Sequence, residues 1–262
     1  MTNRDKYYNR AKQQGYRSRA AYKLKQLDAE SDIFARGDVV VDLGAAPGGW
    51  LQVAAEEVGP QGRVVGVDLT RIDDVEDHWV STVRGDMTEE RTQDRLRREL
   101  DSDADADEKP VDVVISDMAP NMTGEYNLDH ARSVHLARMA FETAQEFLAP
   151  GGDLVVKVFD GPDLAALEAD LDAEFQYVRT RRPDASRDAS SELYLVAKNR
   201  ITAPVAAGDR LTVDVTDTGE EGDGIARVEG FTVFVAGADE GETVEVSITD
   251  VKPRFAFAER LD

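Results

Sequence analysis

Four charged side chains that stand far apart in this chain of 262 residues have the types that proton transfer requires. They are Lys23 in RSRAAYKL, Asp117 in VVISDMAPNMTG, Lys157 in GGDLVVKVF and Glu192 in SSELYLVAK. Valines flank Lys157 in a predicted strand, and burial disfavours the charged form of an amine. A neutral lysine accepts the proton of a weakly acidic hydroxyl group, whereas an arginine stays charged.

Lysine is the rarer cation of this sequence, with 8 lysines against 23 arginines, yet both cationic positions of the set are lysine. Two carboxylates nearby would orient the amines but also favour their charged form. The residues therefore leave open whether Lys157 is a general base or only orients a hydroxyl group. An ion-pair cluster that serves only the fold is the competing interpretation, and the motifs around the four residues favour catalysis.

A second group of residues predicts a pocket for a nucleotide-like ligand. The segment DLGAAPGGW follows a predicted strand and precedes a helix, and its glycines allow the backbone to approach a ligand closely. Asp42, Asp68 and Asp86 end three successive predicted strands, at the edge where open α/β sheets bind ligands. The segment lacks the spacing G-x-G-x-x-G, which disfavours a nicotinamide dehydrogenase.

The elements that must position these residues alternate between strand and helix, which predicts a doubly wound α/β sheet. The predicted strands are 39–44, 63–69, 80–86, 111–117 and 153–159, and 175–182 with 190–198 form a terminal hairpin. The periodicity predicts a helix over 18–29 that Ser18 caps, a helix after the glycine turn that Gly59 closes, and a long helix over 129–148.

The composition changes after Arg200. Residues 203–262 contain five short alternating strands separated by glycines and no helical pattern, which predicts a small five-stranded OB-like β-barrel. The chain thus divides into an α/β domain over 1–200 and a barrel domain over 203–262.

The charge and residue usage exclude several classes of protein. The net charge is −22 and there are no cysteines, so disulfides and thiolate metal sites are excluded. Concentrated salt screens such a charge, and the excess of arginine agrees, so we expect a halophilic archaeal protein. No apolar run reaches about 18 residues and no leader opens the chain, so we expect a cytoplasmic protein. His78, His130 and His135 lack metal-binding spacing, and DSDADADEK (101–109) lacks the glycine of a calcium loop.

The first 27 residues contrast with the acidic remainder. They contain eight basic residues and one acid, a net charge of +7, which leaves −29 on residues 28–262. A basic arm on an acidic body indicates a polyanionic partner. We expect the interleaved aromatic residues to stack on bases or ribose: Tyr7, Tyr8, Tyr16 and Tyr22.

The four charged contexts and the glycine turn, in this order, resemble the FtsJ/RrmJ family of ribosomal RNA ribose 2'-O-methyltransferases over residues 1–200. The resemblance implies a class I, Rossmann-like methyltransferase fold with a seven-stranded sheet. It also implies S-adenosyl-L-methionine as the methyl donor and Lys157, Lys23, Asp117 and Glu192 as catalytic residues.

The resemblance further implies which residues bind the donor. Gly48 and Trp50 are expected to line its pocket, Asp68 to accept the ribose hydroxyls and Asp86 to accept the adenine amino group. Asp117 is expected near the methionine part, and Asp42 to support the turn. In SDMAPNMTG, Pro120 and Asn121 are expected to fix a turn that presents Asp117, and Gly124 to let the loop pass close to RNA.

The string GDGIARVEGFTVFVAGADEGETVEVSI in the tail resembles a TRAM domain, an RNA-binding barrel. The tail has a net charge of −9, from 14 acids and 5 bases, which weakens an electrostatic contribution to RNA binding. The residues available for stacking and phosphate contact are Arg227, Phe231, Phe234, Lys252, Arg254 and Phe255, and half of the phenylalanines are expected in the barrel core.

Together these features predict an enzyme that methylates the 2'-hydroxyl of a uridine ribose in large-subunit (23S) ribosomal RNA. The partner is ribosomal RNA in the large subunit, and we expect a monomer that uses no metal and no membrane. One alternative is a 2'-O-methyltransferase acting on tRNA or on another ribosomal RNA site. Another is a non-catalytic RNA-binding factor of ribosome assembly.

Overall fold

The computed structural model describes residues 3–73, 75, 77–100, 110–187, 190–219 and 222–261. It divides into two compact units, one formed by 1–173 with 177–198 and the other by 174–176 with 199–262. The acidic segment 101–109, which lacks the glycine of a calcium loop, lies outside the described residues.

The first unit alternates helices and strands as the periodicity predicts. Its helices are α1 (Asn3–Gln14), α2 (Ala21–Ser31), α3 (Gly49–Val58), α4 (Glu90–Leu100), α5 (Tyr126–Phe147) and α6 (Leu164–Asp172). The strands of the sheet are β1 (Val39–Leu43), β2 (Arg63–Asp68), β3 (Val80–Arg84), β4 (Val111–Ser116), β5 (Leu148–Phe159), β6 (Phe175–Arg181) and β7 (Glu192–Arg200).

The seven strands form one sheet in the order β3-β2-β1-β4-β5-β7-β6. Strands β1 to β5 pair in parallel, and β7 runs antiparallel to β5, which confirms the predicted doubly wound sheet. Because parallel strands end at one edge, the residues that follow β1, β2 and β4 come together there.

The core explains why the central strands are almost wholly apolar. Val40 and Ile115 pack, on one face of the sheet, with Leu24 of α2 and Leu51 of α3 in a single buried cluster. Strand β1 is buried on both faces, as a continuous run of valines predicts.

Helix α2 begins later than the sequence indicates, and the expected cap is wrong. The helix starts at Ala21 with Ala20 at the cap position, and no side chain bonds to the cap. Residues 18–20 instead form turns whose carbonyls accept from the amides of Ala21, Tyr22 and Lys23.

The basic arm contains helix α1 and packs against the first unit. Ala11 and Tyr22 are buried together with Ala185, and the Tyr16 hydroxyl donates to Glu56 at 2.6 Å. The expected base stacking is therefore wrong for Tyr22, which is 5% exposed, whereas Tyr8 is 60% exposed. None of the described helices is long and apolar enough to span a membrane.

The second unit is a closed barrel, which confirms the predicted five strands. They are β8 (Arg210–Thr218), β9 (Gly224–Val228), β10 (Phe231–Ala236), β11 (Thr243–Val251) and β12 (Phe255–Arg260), in the order β10-β12-β11-β8-β9. Alternate residues such as Val233, Val235 and Ala256 fill the interior.

Candidate active site

The fold brings the four charged residues of the sequence analysis together as two pairs. Lys23 in the first turn of α2 lies 2.7 Å from Oε1 of Glu192, the first residue of β7. Lys157 on β5 donates to Oδ1 of Asp117 at 2.8 Å and also to the Asp117 carbonyl oxygen. Each lysine thus has a carboxylate partner, and both lysines are less than 10% exposed.

A fifth residue, Tyr194, joins the two pairs, and the sequence analysis missed it. Its hydroxyl accepts from Nζ of Lys23 at 3.1 Å and donates to Oδ1 of Asp117 at 2.7 Å. The signal was its position two residues after Glu192, because residues i and i+2 of a strand face the same side. An aromatic residue in a buried strand is nevertheless predicted to belong to the hydrophobic core. Tyr194 does pack on Trp50, with ring centroids 5.8 Å apart.

The electrostatics of the cluster keep Asp117 ionised and Tyr194 neutral. Burial alone would raise the pKa of Asp117, but the charges of Lys157 and Lys23 and the hydrogen bonds from Lys157 and Tyr194 outweigh it, so the pKa lies below its ordinary value. Burial, together with the negative charges of Asp117 and Glu192, raises the pKa of Tyr194 well above that of a free phenol.

A cavity of about 560 Å³ adjoins this cluster at the carboxyl edge of the sheet, and Asp117 is part of its wall. Asp68 at the end of β2 and Asp86 just after β3 also line it. Two hydrogen bonds from Thr88, from its amide and from its hydroxyl, hold the pKa of Asp86 below its ordinary value. The cavity thus presents at least one carboxylate that stays ionised.

The glycine turn shapes one side of this cavity. Gly44 and Ala46 line it, and Asp68 accepts from the amide of Ala46 at 3.0 Å. Gly44 has φ +76°, and a Cβ there would lie 2.6 Å from Cγ of Met118, so only glycine fits.

Two residues predicted to line the pocket lie outside the lining of this cavity. Gly48 precedes α3 with φ +107°, and a Cβ there would meet the guanidinium of Arg17 at 2.7 Å. Trp50 is 3% exposed, and its indole nitrogen donates to the carbonyl of Ala20. Gly48 is the residue before α3 and Trp50 is the second residue of that helix, where its indole is part of the hydrophobic core.

Asp42 is a buried acid near the cavity. It is fully buried on β1, and neither carboxylate oxygen has a hydrogen-bond partner among the described residues. Burial first, and then the charges of Asp117 and Asp68, raise its pKa well above the ordinary value of aspartate. Asp68 and Asp117, which line the cavity itself, are the neighbouring carboxylates that suit a ligand carrying positive charge.

The loop after Asp117 is open on its outer side. Pro120 is half-buried, Asn121 is exposed, and Gly124 has φ +88° with open space around it. Asp129, which the sequence analysis did not single out, fixes the far end of the loop, because its carboxylate accepts from the amides of Thr123 and Gly124.

The described histidines and acids offer no metal centre. No group of three or more His, Asp or Glu side chains among the described residues has metal-ligand geometry. His130 is buried, where Nδ1 donates to the carbonyl of Phe159 at 2.9 Å and Nε2 accepts from the amide of Asp163. Its role is to tie α5 to the segment after β5.

Comparison with known proteins decides the family. The family described as FtsJ-like methyltransferase matches residues 16–200, and the TRAM domain matches 204–261. The chain belongs to the FtsJ-like methyltransferase family. Membership makes S-adenosylmethionine the methyl donor, as the sequence predicted, and the acidic cavity fits a ligand with a sulfonium and an ammonium group.

Relatives of this FtsJ-like methyltransferase resemble it along its whole length. Those called "Ribosomal RNA large subunit methyltransferase E" from the haloarchaea Halorubrum lacusprofundi and Natronomonas pharaonis are 67% and 65% identical over 262 residues. The match covers all of this chain and 95% and 100% of theirs. A relative of the same name from Methanosarcina mazei is 46% identical over 256 residues, with 98% and 92% covered. The haloarchaeal sources agree with the halophilic composition.

One solved structure supports the fold directly. A crystal structure described as a ribosomal RNA methyltransferase from Plasmodium falciparum superposes with a TM-score of 0.61 at 27% identity. It covers 71% of this chain and 98% of its own chain.

Proposed function

We propose that this FtsJ-like methyltransferase transfers a methyl group from S-adenosylmethionine to the 2'-hydroxyl of a uridine ribose in large-subunit ribosomal RNA. The observation that carries the proposal is the double position of Asp117, which lines the cavity and bonds to both Lys157 and Tyr194. The donor pocket and the buried lysines therefore meet at one carboxylate. The names of the relatives support the ribosomal target.

The residues at the cavity divide the binding of the donor between them. Asp68 would accept the ribose hydroxyls, Asp86 the adenine amino group, and Asp117 would face the methionine part beside the glycine turn that Gly44 and Ala46 line. The donor, when bound, would supply a methyl group on a positively charged sulfur, and that sulfur leaves readily as a neutral thioether. The protein therefore has to bring the hydroxyl group into line and manage its proton.

Lys157 is the residue we assign to the acceptor hydroxyl. Two N–H groups of its ammonium donate to Asp117, one to the carbonyl oxygen and one to Oδ1. The third N–H is available for a substrate oxygen. As an ammonium, Lys157 donates an N–H to the hydroxyl oxygen and thereby orients its attacking lone pair. A Lys157 that has first released a proton to solvent would take up the hydroxyl proton, and the Asp117 carboxylate would stabilise the ammonium that results. Correct orientation alone is worth about 7–11 kcal/mol in well-placed reactants.

Lys23 and Glu192 form the second ion pair of the site, which Tyr194 connects to Asp117. The Lys23 ammonium is fixed by Glu192 and by Tyr194, and both contacts are buried. We assign Lys23 to positioning the ribose and its neighbouring phosphate, since an ammonium is a compact donor for such oxygens, and Glu192 to orienting Lys23.

The TRAM barrel contributes an aromatic surface to RNA binding. Phe234, Phe255 and Phe257 point outward from the neighbouring strands β10 and β12, with ring centroids 5.3–5.9 Å apart. Phe231 packs partly against the barrel core. Base stacking needs no net positive charge, so the acidic barrel is compatible with RNA binding.

The test is to map ribose methylation by mass spectrometry after incubation with large subunits, ribosomal RNA and tRNA in molar KCl. We expect one methylated uridine in large-subunit RNA. We also propose that the enzyme acts in the cytoplasm as a monomer. Methylation of tRNA alone would contradict the ribosomal target. RNA binding without any transfer would favour the assembly factor.

A further inference from the structure

Helix α1 and the loop that follows β6 lie side by side although about 170 residues separate them in the sequence. The guanidinium of Arg19 donates to the carbonyl of Ala185 at 2.6 Å, and the amide of Ala185 donates to Oε1 of Gln26 at 2.9 Å. Gln26 in turn donates to the hydroxyl of Tyr7 on α1 at 3.1 Å. Hydrogen bonds therefore hold the loop and the helix in a defined arrangement.

A small apolar cluster lies under these hydrogen bonds. Ala185 is fully buried against Ala11 and Tyr22, and the Tyr7 ring packs on Tyr22 with centroids 5.6 Å apart. A loop whose central side chain is buried is fixed in place, so the charged residues on either side of Ala185 have a defined position relative to α1.

The surface built this way is basic on a very acidic chain. Exposed cations come from both segments, namely Lys6 and Arg10, which share a face of α1, and Arg182 and Arg187 of the loop, and we call these four residues the basic platform. Lys6, Arg182 and Arg187 line a polar cavity of about 500 Å³ in which Asp184 is the acidic residue. The platform thus has an excess of positive charge where the whole chain carries −22.

The platform is continuous in the chain with elements of the candidate active site. The α1 segment is followed by α2, which carries Lys23 in its first turn, and the loop is followed by β7, which begins at Glu192. The Lys23–Glu192 ion pair, at 2.7 Å, joins the two elements that follow these segments in the chain. Both segments of the platform are therefore tied through short stretches of chain to the pair that holds one side of the site.

We propose that the basic platform binds the phosphates of single-stranded RNA beside the acceptor nucleotide, and that the loop arginines Arg182 and Arg187 are part of it. This inference rests on the proposed function for the identity of the acceptor. Exposed lysine and arginine side chains on a fixed backbone suit phosphates, and the Tyr7 ring in the cavity suits a base or a ribose.

The experiment compares two double variants of equal charge. Arg182→Ala with Arg187→Ala removes two platform cations, and Arg98→Ala with Arg138→Ala removes two from α4 and α5. Binding of fluorescein-labelled oligouridine and of purified large-subunit RNA is measured by anisotropy over a series of KCl concentrations. Calorimetry with S-adenosylhomocysteine and thermal melting show whether the donor site and the fold are intact.

We expect the platform variant to bind both RNAs about tenfold more weakly, with a salt slope reduced by about 0.7 for each lost phosphate contact. Donor affinity is expected to stay unchanged. Equal RNA affinity and equal slope in the platform and control variants would overturn the proposal. Because Arg182 also donates to the carbonyl of Ser190, Lys6→Ala with Arg10→Ala provides a second variant on the other segment, with the same expectation.

Direct binding keeps this inference separate from the proposed function. If wild-type protein binds RNA through the platform but transfers no methyl group, the proposed function fails and the platform stands. If methyl transfer occurs and the platform variants bind RNA like wild type, the platform fails and the proposed function stands.

Discussion

Lys157 on β5 and Tyr194 on β7 lie opposite each other in the antiparallel ladder, and both donate to the same oxygen, Oδ1 of Asp117, at 2.8 and 2.7 Å. One carboxylate oxygen thereby links a cation and a phenol from neighbouring strands to the wall of the donor cavity. The geometry of the candidate site depends on the register of this strand pair, because a slip of β7 by one residue would turn Tyr194 to the other face of the sheet and leave Lys157 without it.

Replacing Lys157 tests the assignment of the acceptor contact. We expect Lys157→Ala to lower kcat by at least about 100-fold, in the range of general base catalysis, with donor affinity maintained. Lys25→Ala, which removes a partly exposed lysine paired with Glu56, is the control and should keep full activity. Single-turnover methyl transfer measures both.

A further variant separates proton uptake from orientation. Lys157→Arg retains a cationic donor but cannot accept a proton. We expect it to be as inactive as Lys157→Ala. Activity near that of wild type would show that the amine only orients the hydroxyl group.

Removing the Tyr194 hydroxyl tests its role as the link between the two pairs. We expect Tyr194→Phe to lower kcat about 10-fold while the ring keeps its packing on Trp50. The hydrogen bond from Tyr194 helps to hold the pKa of Asp117 down, so its loss raises that pKa and moves the acid limb of the pH–rate profile to higher pH.

The matched control for this variant is Tyr16→Phe. It removes a phenol–carboxylate hydrogen bond to Glu56 outside the site, and its acid limb should stay in place at saturating RNA. An unchanged profile in Tyr194→Phe would contradict the linking role.

Asp86 tests the donor site independently of the chemistry. We expect Asp86→Ala to weaken binding of S-adenosylhomocysteine about 10-fold, because a hydrogen-bond acceptor in the cavity wall is lost. Asp94→Ala, on the exposed face of α4, should bind like wild type. Titration calorimetry measures both, and equal affinities would contradict the assignment of Asp86 to the donor.

The buried Asp42 predicts a particular dependence of stability on pH. Its pKa is raised in the folded state, so between the unfolded and the folded pKa the unfolded chain binds fewer protons and stability falls as pH rises. The side chain of asparagine cannot ionise, so Asp42→Asn removes this loss. We expect the stability of the variant relative to wild type to increase from pH 4 upwards, by up to about 1.4 kcal/mol for each pH unit.

Denaturant titrations in molar KCl across this pH range measure the difference. The comparison uses the change with pH rather than a single value, because the new amide also lacks a partner. A difference that stays constant with pH would show that Asp42 ionises normally in the folded protein.

Phe257 tests the aromatic surface of the TRAM barrel. It is 39% exposed, and stacking contributes about 1–3 kcal/mol for each base, so we expect Phe257→Ala to raise the Kd for RNA about 5- to 150-fold. Tyr177→Ala removes an aromatic residue of 38% exposure from β6 and serves as the control. Equal RNA affinities of the two variants would exclude Phe257 from the interface.

Much of this protein was predictable from local patterns. The continuous valines of β1 predicted a strand buried on both faces, as in a parallel sheet. The acids Asp68 and Asp86 at the ends of two strands predicted a ligand at the carboxyl edge of that sheet. The alternation around Val233 and Val235 predicted the barrel in the same way.

The sequence by itself determined which residue types do the chemistry, namely Lys23, Asp117, Lys157 and Glu192, and on which elements they stand. The tertiary structure alone decided how they pair, that Tyr194 joins them and that Tyr22 is buried. Pairing depends on the register between strands and on the packing of helices that are distant in the chain. Contacts between elements distant in the chain produce no periodic pattern of residues in the sequence. A tyrosine in a buried strand has the same sequence pattern whether its hydroxyl group belongs to a functional site or only to the core.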